Sequence, residues 1–162
     1  MNSVVIRKLP TGVPGLDEIL GGGLPEFSFN VIAGAPGGGK TTLAHQIIFA
    51  NATAQRPALF FTVLGEPALK MLRYQQQFEF FDHAKLNSVI RFINLSQVVL
   101  DEDLGSVLAE IVKEVEATNP SIVVVDSFRT VVRKAQSSAA ADVELQSFIQ
   151  RLALHLIRIL FK

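Results

Sequence analysis

Gly34-Ala35-Pro36-Gly37-Gly38-Gly39-Lys40-Thr41 sets a lysine and a hydroxyl directly behind a run of glycines. The run fits G-x-x-x-x-G-K-[ST], a spacing suited to phosphate. Glycines let the backbone curl until successive N–H groups point inward as an anion nest. A helix that starts at this point adds the positive potential of its unsatisfied N–H groups. Lys40 brings a full charge to the β- and γ-phosphates, and the Thr41 hydroxyl is a hard oxygen ligand for Mg²⁺. With Thr42 beside them, these residues form the expected nucleotide-binding set, with ATP and Mg²⁺ as the expected ligands. The competing explanation is a chance Gly-rich turn. The pattern is too long to arise often by chance at ordinary residue frequencies.

A second element is Ile122-Val123-Val124-Val125-Asp126-Ser127. Four apolar residues ending in a carboxylate describe a buried strand with Asp126 at its C-terminal edge, where ligands bind in parallel sheets. Asp126 is expected to support Mg²⁺ beside Thr41; the alternative is an acid that only caps the next turn. Hydrolysis also needs a group that orients and deprotonates water. The candidate is Glu66, whose alternative role is to complement a helix dipole ahead of Pro67. Asp82, Asp101, Glu102 and Asp103 read as solvated or helix-start acids. His45, His83 and His155 show no metal-ligand spacing and read as structural or surface residues. Arg129, Arg133 and Lys134 form a basic cluster that either touches an anionic ligand or lies solvated in a loop.

These side chains need a scaffold, and the hydrophobic pattern supplies one. Residues 27–33 (FSFNVIA), 58–64 (ALFFTVL), 89–95 (VIRFINL) and 121–125 (SIVVV) read as strands, the first and last buried. Helices are expected over 41–54, 67–81, 103–118 and 141–160, with one or two turns at 16–20 whose Leu16, Ile19 and Leu20 share a face. Residues 103–118 have the clearest helical period, and Pro120 ends them. Residues 129–141 read as a mobile loop. Strands alternating with helices, several of them apolar on both faces, imply an α/β fold with a mainly parallel sheet flanked by helices.

The whole chain is consistent with this. Its 162 residues are enough for one domain with a substantial core, and 49% are apolar against 19% charged. Fifteen basic residues balance fifteen acidic ones, which is not the footprint of a strong nucleic-acid binder or of a membrane-surface protein. With no cysteine, disulfides, thiolate zinc sites and iron–sulfur clusters are excluded. No signal-peptide pattern opens the chain and no apolar tract reaches the ~20 residues of a membrane helix, so the expected location is cytoplasmic.

Together these elements resemble the KaiC-like branch of the RecA/RadA ATPase superfamily. The discriminating part is the lead-in Pro10-Thr11-Gly12-Val13-Pro14-Gly15-Leu16-Asp17-Glu18-Ile19-Leu20-Gly21-Gly22-Gly23-Leu24-Pro25 and its distance from the phosphate loop. The likeness runs from about residue 9 to 150. It implies a RecA-like P-loop core, ATP and ADP as ligands, assembly into a homo-oligomer and a possible protein signalling partner. By the same likeness Lys40 and Thr41 hold phosphate and magnesium, Asp126 supports the metal, and Ser127 helps position water.

Two departures qualify the resemblance. Many relatives carry two adjacent acids after the second strand, where Leu64-Gly65 stand here with Glu66 one place later. Relatives also continue past the last helix into further strands. One of these lies between the phosphate-loop strand and the Asp126 strand, and later ones carry basic residues that reach a neighbour's nucleotide. This chain stops at His155-Leu156-Ile157-Arg158-Ile159-Leu160-Phe161-Lys162, so either the C-terminal strands are missing or Ile157–Phe161 substitutes for one. An open slot predicts exposed apolar surface and abnormal association.

The leading expectation is therefore Mg-dependent ATP binding with slow hydrolysis coupled to assembly or signalling. A regulatory module that binds nucleotide but hydrolyses little is the first alternative. A small-molecule or nucleotide kinase is the second, because the loop also resembles nucleotide-kinase loops. DNA recombination stands on superfamily analogy alone.

Overall fold

The computed structural model describes residues 6–63, 68–101, 103–127 and 146–154. Its centre is a three-stranded parallel sheet of β3 (Ala58–Thr62), β4 (Ile90–Asn94) and β5 (Ile122–Asp126), in the order β4-β3-β5. β3 is buried along its whole length because it has a strand on each side and helices on each face. β5 is only half-buried.

The two faces of β3 organise two cores. Leu59, Phe61 and Val63 pack with Val107, Leu108, Ile111 and Val115 of α5 (Leu104–Thr118), and with Phe148 and Leu152 of the helix over residues 146–154. Ala58 and Phe60 pack on the other face with Ala44, Ile48 and Phe49 of α2 (Lys40–Asn51). Each buried Val, Leu, Ile or Phe among them contributes roughly 1.5–3 kcal/mol by leaving water. α3 (Ala68–Gln75) lies on the α2 side, where Met71 packs into the same core. A one-turn 3₁₀ helix (His83–Lys85) leads into β4, and α4 (Ser96–Asp101) leads from it toward α5.

Local signals set the ends of α5. The Asp103 carboxylate accepts the Ser106 N–H at 2.8 Å, satisfying one of the free donors of the first turn. Asn119 closes the helix in the left-handed region at φ 47°, its N–H reaching the Val115 carbonyl at 2.8 Å. Asp82 likewise caps the 3₁₀ turn by accepting the Ala84 N–H at 2.9 Å.

The lead-in is fastened to α2. A short antiparallel pair, β1 (Lys8–Leu9) with β2 (Leu24–Pro25), frames it. Gln46 Nε2 donates to the Gly12 carbonyl and Asn51 Nδ2 to the Pro10 carbonyl, each at 2.7 Å. Gly12 has φ +70°, and a Cβ there would stand 2.7 Å from that of Ala50, so no side chain fits. The one-turn α1 (Leu16–Ile19) differs from expectation, since Ile19 is 82% exposed. Its orientation follows Asp17, whose carboxylate accepts the buried Thr11 N–H at 2.7 Å, because so short a helix has too little apolar area to dictate its own facing.

A larger difference lies just before the phosphate loop. Residues 27–33 carry no strand, and Val31 is 77% exposed. A strand exists only by pairing, and among the described residues no strand of the β4-β3-β5 sheet pairs with this stretch. Apolar character made this stretch read as buried, but apolar character does not provide a pairing edge. The expected helix over 67–81 is also shorter, ending at Gln75, and the one over 41–54 ends at Asn51. The expected loop at 129–141 lies outside the described residues, as do residues 155–162.

Candidate nucleotide-binding site

The loop over residues 34–39 is exposed and passes directly into α2. Gly37 and Gly39 stand at φ 77° and 76°, a region that L side chains adopt at a cost, and this curl turns the chain into the helix N-terminus. Inside the curl, the Gly38 N–H donates to the Ala35 carbonyl at 3.1 Å. Pro36 follows Ala35 within the same loop.

Lys40 is the first residue of α2. Its ammonium folds back over the loop, donating to the carbonyls of Gly34 at 3.0 Å and Ala35 at 2.7 Å. The cation is thus held above the loop whose N–H groups would face an anion. An ammonium has three protons, so Lys40 can exchange carbonyl partners for phosphate oxygens by a small swing.

Thr41 meets Asp126 across the fold. Its Oγ1 donates to Asp126 Oδ2 at 2.5 Å, although 85 residues separate the two in sequence. Asp126 is the last residue of β5, in register with Thr62 of β3, and its carbonyl accepts the Val63 N–H at 2.8 Å. The C-terminal edge of the sheet and the first turn of α2 are therefore one locus. Ser127 follows in a turn, half-buried, joined to Asp126 by a cis peptide bond. Thr42 is half-buried on the same first turn.

The donor set fits a small hard cation. A threonine hydroxyl that donates its proton to a carboxylate keeps its lone pairs, and the carboxylate keeps its second oxygen. Both are oxygen ligands, beside a helix N-terminus that attracts phosphate. Among the described residues no group of three or more His, Asp or Glu gathers at a metal-ligand distance. Among the described residues, Thr41 and Asp126 are the two side-chain oxygens that meet here, an arrangement that suits Mg²⁺ shared with phosphates and water.

The geometry joins Thr41 to Asp126 and Lys40 to the loop carbonyls, while Glu66, Arg129, Arg133 and Lys134 lie outside the described residues. One turn behind Thr41 lies His45, whose sequence reading as a structural or surface residue resolves to the structural one. His45 is completely buried, ringed by Phe60 at 4.5 Å and Phe92 at 5.5 Å between ring centres. Burial pushes its pKa down to about 4, against weaker opposing effects of Gln75 and Asp126. The available signal was its spacing, four residues after Thr41 on the same helix.

A parallel α/β sheet with a glycine-rich loop running into a helix, and an acid at the facing strand end, defines the P-loop nucleotide-binding class. Comparison with known proteins gives the particular family. The model of the family described as "ATPase: KaiC" matches residues 9–158, nearly the whole chain. The chain belongs to the KaiC ATPase family, within the RecA/RadA superfamily. A UPF0273 protein of Thermotoga maritima is 32% identical over 140 residues, covering 78% of this chain and 57% of its own length. The DNA repair protein RadA of Mycobacterium tuberculosis is 33% identical over 124 residues, covering 76% of this chain and 23% of its own. The crystal structure of a KaiC-like protein from Pyrococcus horikoshii superposes with a TM-score of 0.73 at 25% identity, covering 96% of this chain and 69% of that one. The chain thus spans about a quarter to a little over half of these two curated relatives. No helix among the described residues is long and apolar enough to cross a membrane.

Proposed function

We propose that this P-loop ATPase domain binds Mg-ATP at residues 34–42 with Asp126, and hydrolyses it slowly in support of assembly or signalling. The observation that carries the reading is the 2.5 Å bond from Thr41 to Asp126, which brings the two expected magnesium-side oxygens together at the mouth of the phosphate loop. Loop N–H groups and Lys40 bind the phosphates; Thr41 and Asp126 hold the metal side; Glu66 orients and deprotonates the attacking water, with Ser127 helping to place it. Bound Mg²⁺ supplies charge neutralisation on the β- and γ-oxygens. Family membership favours this reading over a nucleotide kinase. The neutral overall charge weighs against nucleic acid as the main partner.

Fluorescent-nucleotide titration tests the binding claim. Lys40→Ala should weaken affinity about a hundredfold or more, the scale of losing a charged partner at a desolvated site. Glu66→Gln should keep the affinity and abolish phosphate release under saturating Mg-ATP. Undiminished turnover in that variant removes Glu66 from the mechanism. Binding without measurable release in the unmodified protein makes it instead a regulatory nucleotide holder, the reading favoured by Leu64-Gly65 where relatives carry acids.

A further inference from the structure

Three buried polar side chains on the α2 side of the sheet have no part in the scheme above. His45 is 0% exposed, and neither ring nitrogen has a hydrogen-bond partner among the described residues. Gln75, the last residue of α3, is 5% exposed, and its Oε1 is unpartnered in the same sense. So is Oγ1 of Thr62, 7% exposed. Thr62 ends β3 on the strand face shared with Ala58 and Phe60, which α2 covers, and it stands in register with Asp126.

Packing alone does not explain this chemistry. A buried polar atom without a partner costs roughly 1–3 kcal/mol, and a phenylalanine would fill the place between Phe60 and Phe92 without that cost. His45 is neutral at pH 7, so its ring offers one donor and one acceptor. An amide and a hydroxyl each offer both. Gln75 stands near enough to the His45 ring to favour its protonated form, yet outside hydrogen-bond geometry. None of the three bonds another directly, so a bridging water is what would satisfy them together. Their placement gives such a link leverage. His45 lies four residues beyond Thr41 on the same helix face, so any rotation of α2 that moves one moves the other.

We propose that His45 is a positioning residue: with Gln75 and Thr62 it forms a buried polar link among α2, α3 and the sheet edge that sets where Thr41 stands against Asp126. Its effect on affinity rests on the Mg-nucleotide reading; its effect on the Thr41–Asp126 contact does not.

The test compares His45→Phe, which keeps the ring packing and removes both nitrogens, with Gln75→Leu, the double variant and His45→Gln. Three readouts are taken: melting temperature, the Thr41 and Asp126 amide resonances without nucleotide, and fluorescent-ATP affinity with Mg²⁺ and with EDTA. Both single variants should melt below the unmodified protein, because each leaves the other members of the link buried without a partner. Each should also shift the Thr41 resonance and lower the Mg²⁺-dependent part of the affinity about tenfold, the scale of coupling in a shared polar network. The double variant should be no worse than either single one, and His45→Gln should restore most of the loss. An unshifted resonance with unchanged Mg²⁺ dependence makes His45 a core filler and overturns the proposal. If His45→Phe fails to fold, Gln75→Leu decides by the same readouts from the α3 side. If even the unmodified protein binds no nucleotide, the binding reading fails, and the resonances of the free protein still decide the link.

Discussion

Lys40 and His45 sit five residues apart on one helix, one at the exposed loop mouth and one in the core. The Lys40 Nζ is held by the carbonyls of Gly34 and Ala35, which phosphate oxygens can replace. His45 sits among aromatic rings, where a charge has no counterpart within hydrogen-bonding reach. Its folded-state pKa of about 4 lies below the ordinary 6.5, so the unfolded chain binds the proton more readily. Stability contributed by neutral His45 is then fully present above about pH 6.5, falls as the pH drops, and is lost by about pH 4. The expected loss is about 3 kcal/mol. Urea midpoints at pH 7 and pH 4.5 measure it, and His45→Phe should flatten most of that difference. An equal pH slope in the variant would assign the loss to carboxylates.

At the scale of elements, stability and function divide between the two faces of the sheet. α5 and the helix over 146–154 pack one face, and the apolar stripe of α5 followed directly from a 3.6-residue period. The Asp103 cap is a local feature of that face. Asp103→Ala should cost about 1 kcal/mol in chemical unfolding and leave nucleotide affinity unchanged. α2 packs the other face and carries the phosphate loop at its N-terminus. The lead-in belongs functionally to this side, since Gln46 and Asn51 of α2 bind the carbonyls of Gly12 and Pro10. Gly12→Ala, which meets Ala50 and a positive φ at once, should therefore lower the melting temperature by several degrees.

For the whole molecule, the strand order β4-β3-β5 makes β5 an edge of the described sheet, with the exposed apolar stretch over residues 27–33 leading into the phosphate loop. Phe27, Phe29, Val31 and Ile32 are each between 39% and 77% exposed. Apolar surface of this kind favours association between molecules. Light scattering should show concentration-dependent assembly of the unmodified chain, reduced in Val31→Lys. A monodisperse monomer at high concentration would show that this surface is not adhesive.

The phosphate loop, the Asp126 strand end and the α5 stripe were legible from residue types and spacing, because each expresses a local rule: glycine freedom, an apolar run closed by an acid, and a helical period. Family membership was legible for the same reason, through the lead-in and its distance from the loop. Tertiary structure alone decided what depends on partners distant in the chain. It decided that Thr41 bonds Asp126 across 85 residues, that Asp17 rather than Ile19 turns inward, and that residues 27–33 carry no strand despite their apolar pattern. It also decided that His45, unremarkable as a letter in a helix, is buried between two aromatic rings one turn behind the site. Periodicity reports which side chains prefer to leave water. Which groups then meet is set by the order of the strands and the packing of helices upon them.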